Sequence, residues 1–275
     1  MSEKSSKESQ QTHDKPVEAW LTDMDGVLVH EEEALPGAKE FLSALADNDV
    51  PYLVLTNNSI FTTRDLAARL HRCGLEVPED RIWTSALATA EFLKIQSPET
   101  SVMAVGEAGL TTALYTAGFT MTTSDPEYVV LGETRSYDFQ TITQAIRLIN
   151  RGAKFIATNP DATGPSSQGV LPATGAVAAM VTKATGKQPY FVGKPSPIMI
   201  RGGLNKLGAH SETTALVGDR MDTDIQAGIE TGLRSYLVLS GSTKESEIER
   251  FPFRPGGVYE SIADLVEIVE EHAKA

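Results

Sequence analysis

The stretch Leu21-Thr22-Asp23-Met24-Asp25-Gly26-Val27-Leu28 decides how the rest of the chain is read. Ala19, Trp20 and Leu21 form an apolar run too short for a core helix but long enough for a buried strand. That strand ends abruptly in two carboxylates, and Gly26 permits a sharp turn beside them. A single D-x-D at a strand end is more often a solvated turn than a site. What raises its weight is that the rest of the chain repeats the arrangement with other polar groups.

Pro36 opens a predicted helix with Ala38, Phe41, Leu42 and Leu45 on one face, broken at Asn48 and Asp49. Tyr52–Leu55 reads as a second buried strand, ending in Thr56-Asn57-Asn58. Thr62 is placed to cap the next helix, with Leu66, Ala67, Leu70 and Cys73 inward and Gly74 as its stop. This β-α-β-α alternation is the signature of a parallel sheet with helices on its faces.

The middle of the chain, from about Ser85 to Lys187, alternates differently. Strands are predicted at Val102–Val105, Val129–Leu131 and Phe155–Ala157, with helices near 110–117, 139–149 and 176–184. Only one of these strands ends in reactive groups, Thr158-Asn159-Pro160-Asp161. A loop rich in Gly, Pro and Ser follows through Pro172; such a loop is either functional or ordinary solvated chain. The first pattern is then expected to resume. Pro189–Val192 leads to Gly193-Lys194-Pro195, and Ser196 caps a helix from Pro197. Thr214–Val217 leads to Gly218-Asp219 and on to Asp224, Ser235–Leu239 leads to Ser240-Gly241, and a last helix spans about Ile262 to His272. The simplest architecture is one sheet domain interrupted by an inserted one.

The bulk numbers are ordinary for a soluble globular protein. The 275 residues suffice for one large or two moderate domains, with 41% hydrophobic and 22% charged residues. A net charge of -13 argues against nucleic-acid polymers and anionic membranes as partners. No apolar run reaches membrane-spanning length. The Ser-, Lys- and Glu-rich opening lacks the apolar centre of a secretory signal and reads as a disordered tail over 1–16. The one cysteine, Cys73, reads as core filler, excludes an internal disulfide and suits a reducing, cytoplasmic setting. The five histidines show no paired ligand spacing, so zinc is not expected.

In an open parallel sheet, ligands bind beyond the carboxyl ends of the strands. Asp23, Asp25, Thr56, Asn57, Lys194, Asp219 and Asp224 would then converge on one rim. Four carboxylates together need a cation. Hard oxygen ligands favour Mg²⁺, and Mg²⁺ with a lysine makes a site for a dianionic phosphate. Gly193-Lys194 is not a nucleotide phosphate loop, because Gln188 and Pro195 stand where that motif needs Gly and Ser or Thr.

Taken in order, Asp23-Met24-Asp25-Gly26, Thr56-Asn57-Asn58, Lys194 and Gly218-Asp219 with Asp224 resemble the four motifs of the haloacid dehalogenase-like superfamily. The insertion carrying Thr158-Asn159-Pro160-Asp161, together with Val192-Gly193-Lys194-Pro195-Ser196-Pro197, resembles its NagD-like, p-nitrophenylphosphatase-like branch. The resemblance implies an α/β fold, with a Rossmann-like doubly wound parallel sheet core and a smaller α/β cap domain inserted. The core would comprise 17–84 and 188–275, and the cap 85–187. It implies Asp23 as nucleophile, Asp25 as acid/base, and Lys194 as the cation that offsets charge. Thr56, Asn57 and Lys194 would hold the phosphoryl group. Asp23, the Asp25 carbonyl and Asp219 would ligate Mg²⁺, with Asp224 behind them, and Asn159 and Asp161 would meet the substrate's leaving group. The expected activity is hydrolysis of small phosphomonoesters such as nucleoside monophosphates, sugar phosphates or phosphoglycolate. A phosphotransferase or mutase, and a non-catalytic metabolite-binding protein, are the alternatives. A homodimer through the cap is an expectation from the resemblance alone.

Overall fold

The structure, a computed structural model, describes residues 15–166 and 169–274. The tail expected over 1–16 lies outside them except for Lys15 and Pro16. Two compact units are present. The first comprises residues 15–56, Ala67–Ile82 and 200–274; the second comprises Asn57–Leu66 and the described part of Trp83–Met199.

The strands in chain order begin with β1 (Ala19–Asp23), β2 (Val29–His30), β3 (Glu33–Ala34), β4 (Tyr52–Thr56) and β5 (Ile82–Thr84). Next come β6 (Ser101–Val105), β7 (Thr120–Met121), β8 (Tyr128–Leu131), β9 (Lys154–Ala157), β10 (Thr163–Ser166) and β11 (Gly169–Pro172). The last are β12 (Tyr190–Phe191), β13 (Thr214–Gly218), β14 (Arg234–Val238) and β15 (Gly257–Tyr259).

The main sheet runs β15-β14-β13-β1-β4-β5. β1 pairs in parallel with both β13 and β4, and β14 and β15 continue in parallel beyond β13. Every residue of β1, β4, β13 and β14 is buried, the unbroken apolar habit of strands covered on both faces. The chain moves outward from β1 to β4, and later returns on the other side through β13. β1 is therefore the switch point, where an open sheet leaves a crevice at its strand ends. Trp20 anchors β1, fully buried, edge-on to Phe41 at 5.3 Å and tilted against Tyr236 at 5.8 Å. Truncating so large a core side chain typically costs about 3–5 kcal/mol. The helix Ala38–Asp47 buries Ala38, Phe41, Leu42 and Leu45 as its spacing requires, though it starts two residues after Pro36.

The second unit has its own five-stranded parallel sheet, β12-β9-β8-β6-β7. Its core includes Met103, Val129, Leu131, Ile142, Leu148, Ile149 and Val181, drawn from strands and from the helices Phe139–Arg151 and Thr174–Thr185. The α/β reading with a parallel core sheet holds.

Three local readings are corrected. The strand before Lys194 does not resume the first sheet: β12 pairs with β9, Tyr190 opposite Ile156. A run of four apolar residues carries no information about which sheet completes it. The segment read as a loop up to Pro172 contains an antiparallel ribbon, β10 with β11, Thr163 facing Pro172. Its Gly, Pro and Ser content masked the pairing. Cys73 is only half-buried, and its Sγ donates to the Glu32 carbonyl at 3.2 Å, so it is not core filler. Among the described residues no helix is long and apolar enough to cross a membrane.

Candidate active site

Asp23 is the last residue of β1, and Asp219 follows the end of the neighbouring β13. Parallel register places Thr22 beside Val217, so the two acids emerge from adjacent strand ends. Asp224 reaches the same place from the turn Met221–Ile225. One carboxylate oxygen from each of Asp23, Asp219 and Asp224 lies within 4.8 Å of the others. Asp23 keeps 9% of its surface exposed, Asp219 2% and Asp224 none.

The surrounding chain is built to hold these acids. Asp23 Oδ1 accepts from Met24 N at 2.8 Å, and Asp219 Oδ2 accepts from Ser242 N at 2.6 Å. Asp224 Oδ2 accepts from Arg220 N at 3.3 Å and from Thr223 Oγ1 at 3.2 Å. Ser240 Oγ donates to the Gly26 carbonyl at 2.8 Å, linking the turn after β1 to the loop after β14. Gly26 takes φ +83°, the left-handed turn expected of it, and a Cβ there would stand 2.5 Å from Asp219 Oδ2. At Gly218 a Cβ would fall 2.1 Å from the Asp224 Cβ. Both positions need glycine because the carboxylates occupy the space.

Three carboxylates this close repel one another unless a cation is shared among them. The donor set is hard oxygen throughout, which fits a divalent metal of the Mg²⁺ kind and not a soft one. Asp224, expected behind the ligands, stands in the cluster itself.

Asp25 is placed differently. Its Oδ1 accepts from Arg69 Nη2 at 2.8 Å, with nearly half of its side chain exposed. Sequence reasoning missed Arg69, Ser240 and Ser242. Arg69 sits on a helix with Arg64 and Arg72 and looks like one more solvated cation. Ser240-Gly241 reads as a strand end, but nothing in the sequence signals that Ser240 reaches the Gly26 carbonyl or that Ser242 N reaches Asp219. Thr56 ends β4 and is 4% exposed.

In the second unit the structure gathers Asn57, Asn159, Asp161 and Lys194 into one hydrogen-bonded group. Asn57 Nδ2 donates to Asp161 Oδ2 at 2.8 Å and to the Lys194 carbonyl at 3.0 Å. Asn159 Nδ2 donates to the Asn57 carbonyl at 2.8 Å. Lys194 is 2% exposed and Asn159 1%.

A model of the haloacid dehalogenase-like hydrolases matches residues 20–120, and a HAD-hydrolase-like model matches 191–265. The chain is 60% identical over 249 residues to the dihydroxyacetone phosphatase of Corynebacterium glutamicum (strain R), covering 90% of each. The chain belongs to the haloacid dehalogenase-like hydrolases. It falls in their NagD-like branch: identity to the ribonucleotide monophosphatase NagD of Escherichia coli (strain K12) is 46%, over 89% of this chain and 96% of that one. The solved structure of E. coli NagD superposes with a TM-score of 0.86 at 45% identity, covering 90% of this chain and 98% of NagD. The 4-nitrophenylphosphatase of Thermotoga maritima superposes at 0.88 with 31% identity, over 92% and 97%. As a member of this branch of the haloacid dehalogenase-like hydrolases, the chain is a phosphatase.

Proposed function

We propose that this phosphatase hydrolyses small phosphomonoesters with Mg²⁺ through a phosphoryl group carried on Asp23. The observation that carries the reading is the convergence of Asp23 and Asp219, from adjacent strand ends, with Asp224 from the turn that follows. Asp23, the Asp25 carbonyl and Asp219 would hold the metal, with Asp224 alongside. When bound, the metal supplies positive charge that lets a carboxylate cluster receive a dianion.

An Asp23 carboxylate oxygen attacks phosphorus, and the bond from phosphorus to the ester oxygen breaks. Asp25 gives its proton to that oxygen as it leaves. Water then attacks the phosphoryl group, Asp25 takes back a proton, and the Asp23–phosphorus link breaks to release inorganic phosphate. Phosphoryl transfer depends on positioning and charge more than on elaborate covalent chemistry. Thr56, Asn57 and Lys194 carry the positioning in this reading, Lys194 also offsetting negative charge.

Substrate choice is assigned to the insertion 85–187, all of it within the second unit. The 60% identity to a dihydroxyacetone phosphatase makes a three-carbon phosphate the leading substrate, ahead of the nucleotides named for NagD. Phosphate release should be measured over dihydroxyacetone phosphate, glycerol phosphates, nucleoside monophosphates and nitrophenyl phosphate. Release that requires Mg²⁺ and peaks on a three-carbon ester supports the proposal. A peak on nucleoside monophosphates would move the substrate; transfer to an added sugar in place of release would move the reaction.

A further inference from the structure

The hydrogen bonds around Asn57 point to a task that the motif reading did not assign. A primary amide has two N–H donors. In Asn57 both are engaged, one on Asp161 Oδ2 and one on the Lys194 main-chain carbonyl. Any contact of Asn57 with a phosphoryl oxygen therefore comes through its main chain. Among the described residues Asn57 Oδ1 is buried without a hydrogen-bond partner, a costly placement for an acceptor. The side chain is thus kept for what its donors hold.

The group is braced from both ends. The Asn57 carbonyl accepts from Ser85 Oγ at 2.7 Å and from Asn159 Nδ2 at 2.8 Å. Asn159 Oδ1 accepts from Asp161 N at 3.1 Å, which closes a ring through Asn57, Asn159 and Asp161. Asp161 offers a charged acceptor, so its bond to the amide is of the stronger, charge-assisted kind.

We propose that Asp161 and Asn159 are positioning residues that act through Asn57 to fix the main chain at Lys194. The inference rests on the reading of Lys194 as the cation for the phosphoryl group. A lysine ammonium rides on a flexible four-carbon stem, so its placement depends on where that stem begins. Clamping the Lys194 carbonyl sets that origin. Asp161 and Asn159 then influence every substrate alike, which is the opposite of what a leaving-group contact would do.

The test compares wild type with Asp161→Ala and Asp161→Asn, both checked for folding by thermal melting. Nitrophenyl phosphate, dihydroxyacetone phosphate and a nucleoside monophosphate serve as substrates with Mg²⁺. Asp161→Ala should lose roughly 10–100-fold in kcat/KM by a similar factor on all three. Asp161→Asn, which keeps an oxygen for Asn57, should recover most of that loss. Reordered preferences among the three esters would overturn the proposal in favour of a leaving-group contact, and so would an Ala variant as active as wild type. A second readout needs no turnover: the rate at which an amine-acylating reagent modifies Lys194, followed by mass spectrometry. That rate should change in Asp161→Ala and return towards wild type in Asp161→Asn; identical rates would overturn the proposal. Wild type that releases no phosphate from any ester would instead defeat the phosphatase reading, leaving the acylation rates to judge the positioning.

Discussion

Arg69 holds Asp25: its Nη2 lies 2.8 Å from Asp25 Oδ1, while its Nε donates to the Glu31 carbonyl at 3.1 Å. One guanidinium thus ties the proposed acid/base to the hairpin of β2 and β3 that follows it. Partly exposed pairs of this kind contribute only about 0.2–1 kcal/mol to stability, so the pair's value is orientation. Arg69→Met should melt within a few degrees of wild type. It should slow an alkyl phosphate, which needs a proton on its leaving oxygen, several-fold more than nitrophenyl phosphate, which needs little. Equal losses on both esters would separate Arg69 from the acid/base step.

Gly218 makes room for Asp224, whose Cβ would stand 2.1 Å from an added methyl group. Overpacking at such a contact typically costs about 1–3 kcal/mol. Gly218→Ala should lower the melting temperature and raise the Mg²⁺ concentration needed for half-maximal phosphate release. An Ala variant with an unchanged Mg²⁺ requirement would show that Asp224 has no part in holding the metal.

The strand ends were readable because chemistry and burial change together there. β1, β4 and β13 are apolar runs that stop at Asp23, Thr56 and Gly218, and each stop is visible in one dimension. Which strands lie side by side is not visible, because pairing is set by distant chain. For that reason the sequence does not show that β12 pairs with β9, nor that β10 and β11 form a ribbon. Of the four carboxylates expected to converge, Asp23, Asp219 and Asp224 do so, while the Asp25 carboxylate turns to Arg69. Arg69 was not legible, since an arginine on a helix looks solvated until its partner, 44 positions away, is brought to it. The engagement of the Asn57 amide was hidden for the same reason: Asp161 is 104 residues away and Lys194 is 137.

His272 is expected to make the stability of the fold sensitive to acid. Among the described residues its Nδ1 is buried without a hydrogen-bond partner, and burial, with help from Arg234, holds its pKa below the ordinary value of 6.5. The unfolded chain therefore binds the proton more readily. Stability contributed by neutral His272 is fully present above pH 6.5 and is lost as the pH falls through that value towards the folded pKa. Denaturation midpoints measured from pH 7.5 to 5 should fall less steeply for His272→Phe than for wild type. Parallel curves would remove His272 as a source of the slope.

Chelation bears on the metal. Excess chelator should abolish phosphate release, and Mg²⁺ should restore it, because Asp23, Asp219 and Asp224 cannot together accept a dianion unaided. Asp25→Asn keeps its main-chain carbonyl and should bind Mg²⁺ nearly as wild type does. Its loss, typically about 10²–10⁴-fold for general acid–base assistance, should fall mostly on the attack by water. Mg²⁺ binding lost as severely as in Asp23→Asn would make the Asp25 carboxylate itself a ligand.

The most direct measurement is to mix Asp25→Asn with nitrophenyl phosphate and Mg²⁺, quench in acid, and locate the phosphoryl group by peptide mass spectrometry. A burst of about one nitrophenol per site, with the phosphoryl group on the peptide bearing Asp23 and at Asp23 itself, is the predicted result. Asp23→Asn should give neither. A phosphoryl group on any other residue, or full turnover by Asp23→Asn, would contradict the account.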